Sequence, residues 1–193
     1  MLATGYWAYG KSQKRSQQHK VVELVRDTTE QLRQALAPRP SATIVAHIDA
    51  NLQAAKAPTD PALAEAAEVY IVGAREIAKR RIDAERLMVQ AAASRQALAG
   101  HMARAGRRND AWIRDALALK SRVERDHFDL NVSLKALDEL LLTLPEAEKR
   151  LEPHVGPALL LEESLRQSAR KQAQDEAQRV AAALDRARRL DVR

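Results

Sequence analysis

Glu124-Arg125-Asp126-His127 sets a carboxylate and an imidazole three residues apart, the spacing at which helical bundles offer two ligands to a dinuclear metal centre from one helix face. Such a centre needs a second Glu-x-x-His copy and two further inward glutamates. His19, His47, His101 and His154 have no glutamate three residues before them. Glu124 and His127 are thus an incomplete ligand set, and His127 falls in an apolar stripe where a hydrogen-bonded structural histidine is the expected tenant. His47 and Asp49 are two apart, so on a helix they diverge and cannot act as a pair. The chain has no cysteine, which removes thiolate metal sites, disulfides and cysteine nucleophiles together. No HExxH, phosphate-cradling glycine loop, G-x-S-x-G elbow or dinucleotide fingerprint is present, and the six glycines are scattered. No catalytic residue, cofactor or small-molecule substrate is indicated, and a metal-dependent bundle enzyme ranks third among the functional readings.

Cations are the next candidates. Arg75, Lys79, Arg80, Arg81 and Arg86 cluster, and Arg75, Lys79 and Arg86 share a helix face that could track phosphates. Aromatics for stacking on single strands are not interleaved with them. Glu76, Asp83 and Glu85 are, and Glu76 to Arg80 is the favourable four-residue order for an intrahelical pair. A solvated, salt-bridged face is therefore preferred to a nucleic-acid surface. The net charge is +6, with the excess in residues 1–40 and 61–108, while 109–144 is net acidic.

The first ten residues differ from all others. They hold Tyr6, Trp7 and Tyr9, half of the chain's aromatics, and no charged side chain; Lys11, Lys14, Arg15 and Lys20 follow. Interfacial aromatics succeeded by lysine and arginine mark the headgroup end of a membrane-spanning helix. Ten residues are too few to span, since crossing takes about 20 apolar residues. Three readings compete: the end of a spanning helix that starts upstream of Met1, an interfacial anchor, or a segment docked on the remaining protein. The first is preferred. Residues 1–11 are accordingly set apart from 12–193, read as a single helical domain, and the side of the membrane is left open.

Long amphipathic helices must position all of this. Alanine supplies 37 of the 193 residues and aromatics only 3 %, a composition that favours closely packed helices over pleated sheet. Prolines and glycines divide the chain. A first helix runs from about Ser12 to Ala37 on Val21, Val25, Thr28, Leu32 and Ala35. A short second, about Ala42 to Ala55 after a Ser41 cap, carries Ile44, Val45, Ile48 and Leu52. Asp60-Pro61 opens the longest helix, with a seam Leu63, Ala67, Tyr70, Ala74, Ile77, Arg81, Ala84, Met88, Ala91, Arg95, Leu98, Met102 and a stop at Gly106. Arg81 and Arg95 on that seam either reach out past alanines or pair with Glu124 or Asp126. Asn109 or Asp110 caps a fourth helix with seam Ile113, Ala116, Lys120, Val123, His127, Leu130, Leu134, Leu137, Leu141, Leu144. These two long helices should fold back as an antiparallel, coiled-coil-like hairpin. Thr143-Leu144-Pro145-Glu146 reads as a capping box that starts a new short helix stopped by Pro153. Gly156-Pro157 then opens a straight, alanine-faced last helix.

The expected fold is an all-α, elongated antiparallel bundle of three to four long helices and two short ones. The preferred function is a non-enzymatic interaction, scaffold or sensor-like module tethered to a membrane by its N-terminus, with a protein partner or self-association. The alternative is a soluble helical protein that binds nucleic acid or an acidic partner through its basic faces.

Overall fold

The computed structural model describes residues 3–57, 60–104 and 109–190. They form five α-helices: α1 (Ala3–Ala35), α2 (Thr43–Ala55), α3 (Pro61–Ala103), α4 (Asp110–Val155) and α5 (Glu163–Leu190), with a 3-10 turn at Pro157–Leu159 between the last two. No strand occurs among the described residues. The protein is an all-α helical bundle.

Local chemistry explains the helix starts. The Asp60 side chain accepts the Ala62 N–H at 3.2 Å with Pro61 in the first turn, and Asn109 accepts the Trp112 N–H at 2.9 Å. Each satisfies one of the donors that a helix N-terminus leaves without an intrahelical partner. At α2 the Ser41 hydroxyl accepts the Thr43 N–H at 3.3 Å.

The α3/α4 pair has the most extensive contact. Its direction follows from three contacts: His101 stacks on Trp112 with ring centroids 4.9 Å apart, Gln90 bonds Asp126, and Gly73 lies beside Leu144. Position numbers rise on one helix as they fall on the other, so the two are antiparallel. Leu63, Tyr70, Ile77, Ala84, Ala91 and Leu98 are buried on α3, and Val123, Leu130, Leu137, Leu144 and Leu151 on α4. Both sets recur every seven residues, which keeps one stripe facing the partner along the whole length. At 1.5 Å per residue, α3 is about 65 Å long. By the same reasoning α1 runs parallel to α3, because Thr29 meets Tyr70 and Ala37 meets Arg81. In turn α5 runs antiparallel to α4, because Arg166 meets Glu148 and Arg170 meets Asp138. Helices α1 and α2 cover the first half of α3, and α5 covers the second.

Several elements depart from the sequence expectation. The first helix begins at Ala3 rather than Ser12 and ends at Ala35, since nothing between Gly5 and Gly10 forbids helical backbone. Thr143 caps no new helix: its hydroxyl donates back to the Leu140 carbonyl at 2.9 Å, and α4 continues through both Pro145 and Pro153. Burial of Leu141, Leu144 and Leu151 on α3 offsets the roughly 3 kcal/mol that an internal proline costs. Gly156, at φ +77°, ends α4, and α5 starts at Glu163 rather than at Gly156-Pro157. The α4 seam also differs at its start. Ile113 is exposed and His127 half-buried, whereas Asp126 and Ser133 are buried. The expected stop at Gly106 lies outside the described residues; α3 ends at Ala103.

Pro145 is exposed, so Pro145→Ala restores a backbone N–H for the Leu141 carbonyl without disturbing the core. It should raise unfolding free energy by about 1–2 kcal/mol after the gain in unfolded-chain freedom is subtracted. Urea denaturation measures this, and an unchanged midpoint contradicts the account of a strained but packed helix.

Candidate functional site

Helix α1 has two unlike halves. Among its described side chains, the buried ones begin at Val21 and continue through Val25, Thr28, Thr29 and Leu32. From Ser12 to Lys20 every side chain is exposed except the half-buried Gln17. The Thr29–Tyr70 contact fixes the offset between α1 and α3 and sets Lys20 level with Pro61, the first residue of α3. The backbone from Ala3 to Lys20 therefore overhangs the end of α3 as a helical arm about 27 Å long. Lys14 and Arg15 are exposed on it. The side chains of Tyr6, Trp7, Tyr9 and Lys11 lie outside the described residues. No helix among the described residues is long and apolar enough to cross a membrane.

The cationic face on α3 is broken up. Lys79, Arg80 and Arg86 are exposed. Arg75 instead pairs with Asp49 of α2 and, at 3.2 Å, with Glu76. Glu76 is thereby drawn to Arg75 rather than to Arg80, and Asp49, which looked incidental in the sequence, ties α2 to α3. Lys79 stands 18 positions along α3 from the level of Lys20, about 27 Å, so arm and face form two separate basic regions.

Arg81 is 1 % exposed. Its guanidinium lies 3.7 Å from Glu85 and 3.5 Å from the Ala37 carbonyl, just past the C-terminal end of α1, where the helix dipole favours a cation. Burial pulls its pKa below the ordinary arginine value, with Glu85 pulling the other way. Asp126 lies nine positions away in register, opposite Gln90, whose amide donates to it at 2.6 Å. Beside it, His127 lies within 3.2 Å of the Asn131 amide. Glu124 is half-buried, and no group of three or more His, Cys, Asp or Glu side chains converges among the described residues.

Two buried polar contacts were not foreseen. Thr29 donates its hydroxyl to the Val25 carbonyl at 2.8 Å, so across the 2.8 Å contact with Tyr70 the phenol must be the donor. Burial raises the Tyr70 pKa from 10.0 to about 12. The second contact is Glu148, 4 % exposed, which accepts the Leu161 N–H at 3.0 Å and the Arg166 guanidinium at 2.5 Å. Burial pushes the Glu148 carboxyl above its ordinary range against the pull of Arg166. Burial works against the Arg166 charge, yet Glu163 and Glu148 outweigh it and raise its pKa. A carboxylate in an otherwise leucine stripe, three residues before Leu151, was the available signal of a buried partner.

Shallow grooves flank α5. One of about 280 Å³ has Leu134, Leu137, Leu141 and Ala177 as floor and Lys135, Asp138 and Arg170 as rim. Another, of about 380 Å³, lies where α1 ends, among Met88, Val89, Ala92 and Arg179.

Glu148→Leu leaves the Leu161 N–H and one side of Arg166 without an acceptor in a buried site and should cost about 3–5 kcal/mol. Adding Arg166→Met should recover most of that loss in denaturant melts; two additive losses contradict the pairing. Tyr70 fixes an alkaline response. The unfolded chain ionises its phenol near 10 and the folded one near 12, so this group leaves stability unaffected below pH 10 and lowers it as pH rises from 10 to 12. In Tyr70→Phe the slope of stability in that window should shrink, and an absorbance titration should lose its latest phenolate step. Compared with known families, characterised proteins and solved structures, the chain shows no significant match.

Proposed function

We propose that this chain is a non-enzymatic interaction or scaffold module of sensor-like build, tethered to a membrane through its N-terminal arm. The observation that carries the reading is the overhang of α1. An aromatic segment followed by Lys11, Lys14, Arg15 and Lys20 sits on a helix that leaves the bundle at Val21, so its position suits it to reach a surface beyond the bundle end. Of residues 12–20 only Gln17 is partly covered and none is buried, which supports an arm that stands clear of most of the bundle.

The interaction half of the reading rests on α4. Ile113, Leu117, Phe128 and Val132 are exposed, Phe128 by 67 %, and their spacing places them on one side of α4, away from the α3 stripe. An exposed apolar line on a charged protein is the kind of surface that takes a partner helix or a second copy. The seven-residue recurrence along α3 and α4 supports the finer reading of the hairpin as a left-handed coiled coil.

The nucleic-acid alternative has less support. Arg75 is withdrawn into an ion pair with Asp49, and no aromatic is interleaved with Lys79, Arg80 and Arg86.

Cells making the full-length chain should deposit it with the membranes, resistant to a high-salt wash and released by detergent. Recovery in the supernatant before any wash removes the tether, and release by salt alone reduces it to surface attraction.

A further inference from the structure

We propose that the arm meets anionic lipid headgroups end-on, with its cations ringed about the helix axis in the headgroup layer and the bundle standing clear of the bilayer. The inference rests on the tether reading above and adds its lipid chemistry and its orientation.

The charge is single-signed. Lys11, Lys14, Arg15 and Lys20 precede the first carboxylate of the chain, Glu23. Lys14, Arg15 and Lys20 are exposed on continuous helix. At 100° per residue they point to three sides of that helix, each about 100° or more from the next. A helix lying flat would bring one of those sides to a surface and turn the others away, whereas an upright helix turns none of the three away and separates them in depth only by their axial rise. Their axial spread, from Lys14 to Lys20, is about 9 Å, more than the roughly 6 Å of headgroup layer in one leaflet, and the long lysine and arginine stems cover the difference.

The bundle excludes the flat pose for Lys14. Val21 lies seven residues after Lys14 and Val25 eleven, so Lys14 continues the stripe of α1 that is buried against the other helices. Laying that side on a bilayer would drive the bundle into it. End-on contact avoids the collision and leads with the apolar first turns of the arm, residue 7 lying about 10 Å further along the axis than Lys14. A nucleic-acid duplex would engage one side of the arm only, which fits a ring of cations poorly.

The test uses full-length protein and vesicles of phosphatidylcholine alone or mixed with phosphatidylglycerol. Three cations near an anionic surface should tighten binding to the mixed vesicles on the order of 100-fold over the neutral ones. The variant Lys14→Gln/Arg15→Gln/Lys20→Gln, which keeps Lys11, should lose most of that preference with its circular dichroism unchanged. For depth, Trp112→Phe leaves Trp7 as the sole tryptophan, and lipids brominated along the acyl chain should quench it well below the headgroups. Equal binding to both vesicle types overturns the headgroup inference and leaves the tether standing. Failure of the wild-type chain to bind either vesicle overturns the tether itself. Quenching confined to the interface overturns the end-on pose, and cation-dependent binding to a polynucleotide with none to vesicles assigns the arm to nucleic acid instead.

Discussion

The rest of the structure depends on the apolar stripe between α3 and α4. Neither helix could hold its place alone: each is longer than 40 residues and rich in charge, and its apolar residues need neighbouring helices to cover them. Leu63, Tyr70, Ile77, Leu98, Leu130, Leu137 and Leu144 supply the bulk, and alanines at the intervening positions let the backbones approach. Burial of this kind is non-directional, so it favours a hairpin without choosing among registers one turn apart. The polar contacts make that choice. Gln90 to Asp126 is satisfied in one alignment only, and the same holds for Tyr70 to Thr29 on the α1 side and Glu148 to Arg166 on the α5 side. Dry stripes thus supply adhesion, and buried hydrogen bonds set the register.

This division explains how much was legible beforehand. The α3 seam read from spacing alone coincides with the buried residues from Leu63 to Ala84 and again at Ala91 and Leu98, because apolar periodicity survives any choice of partner. Caps at Asp60 and Asn109 were legible for the same reason, being local. Pro145 misled, since its cost is local while the leucines that outweigh it act across the interface. Asp126 and Ser133 misled as well: a polar residue in a buried position looks wrong until Gln90 or a neighbouring helix is in view, and His127 and Leu134 made a more apolar stripe on paper.

The candidate site was legible only as types of residue. Tyr6, Trp7, Tyr9, Lys11, Lys14 and Arg15 announce an interface by composition, but nothing in the sequence says that α1 is unbroken through them or where the bundle begins. The offset between α1 and α3 carries that information, and it is read from the long-range contact between Thr29 and Tyr70. The basic face failed in the opposite way. Its cations were correctly placed on one helix, but the acid that takes Arg75 sits on α2, 26 residues earlier in the chain at Asp49.

Continuity of α1 has a mechanical side. A run from Ala3 to Ala35 without proline or break offers no soft torsion in which a twist could be lost. Turning the protruding half about its axis therefore swings Thr29 across the phenol of Tyr70 and drags the C-terminal carbonyls past Arg81. A twist applied to the arm thus meets the packed Val21 and Val25 first and then, along the same rigid rod, the buried contact between Thr29 and Tyr70.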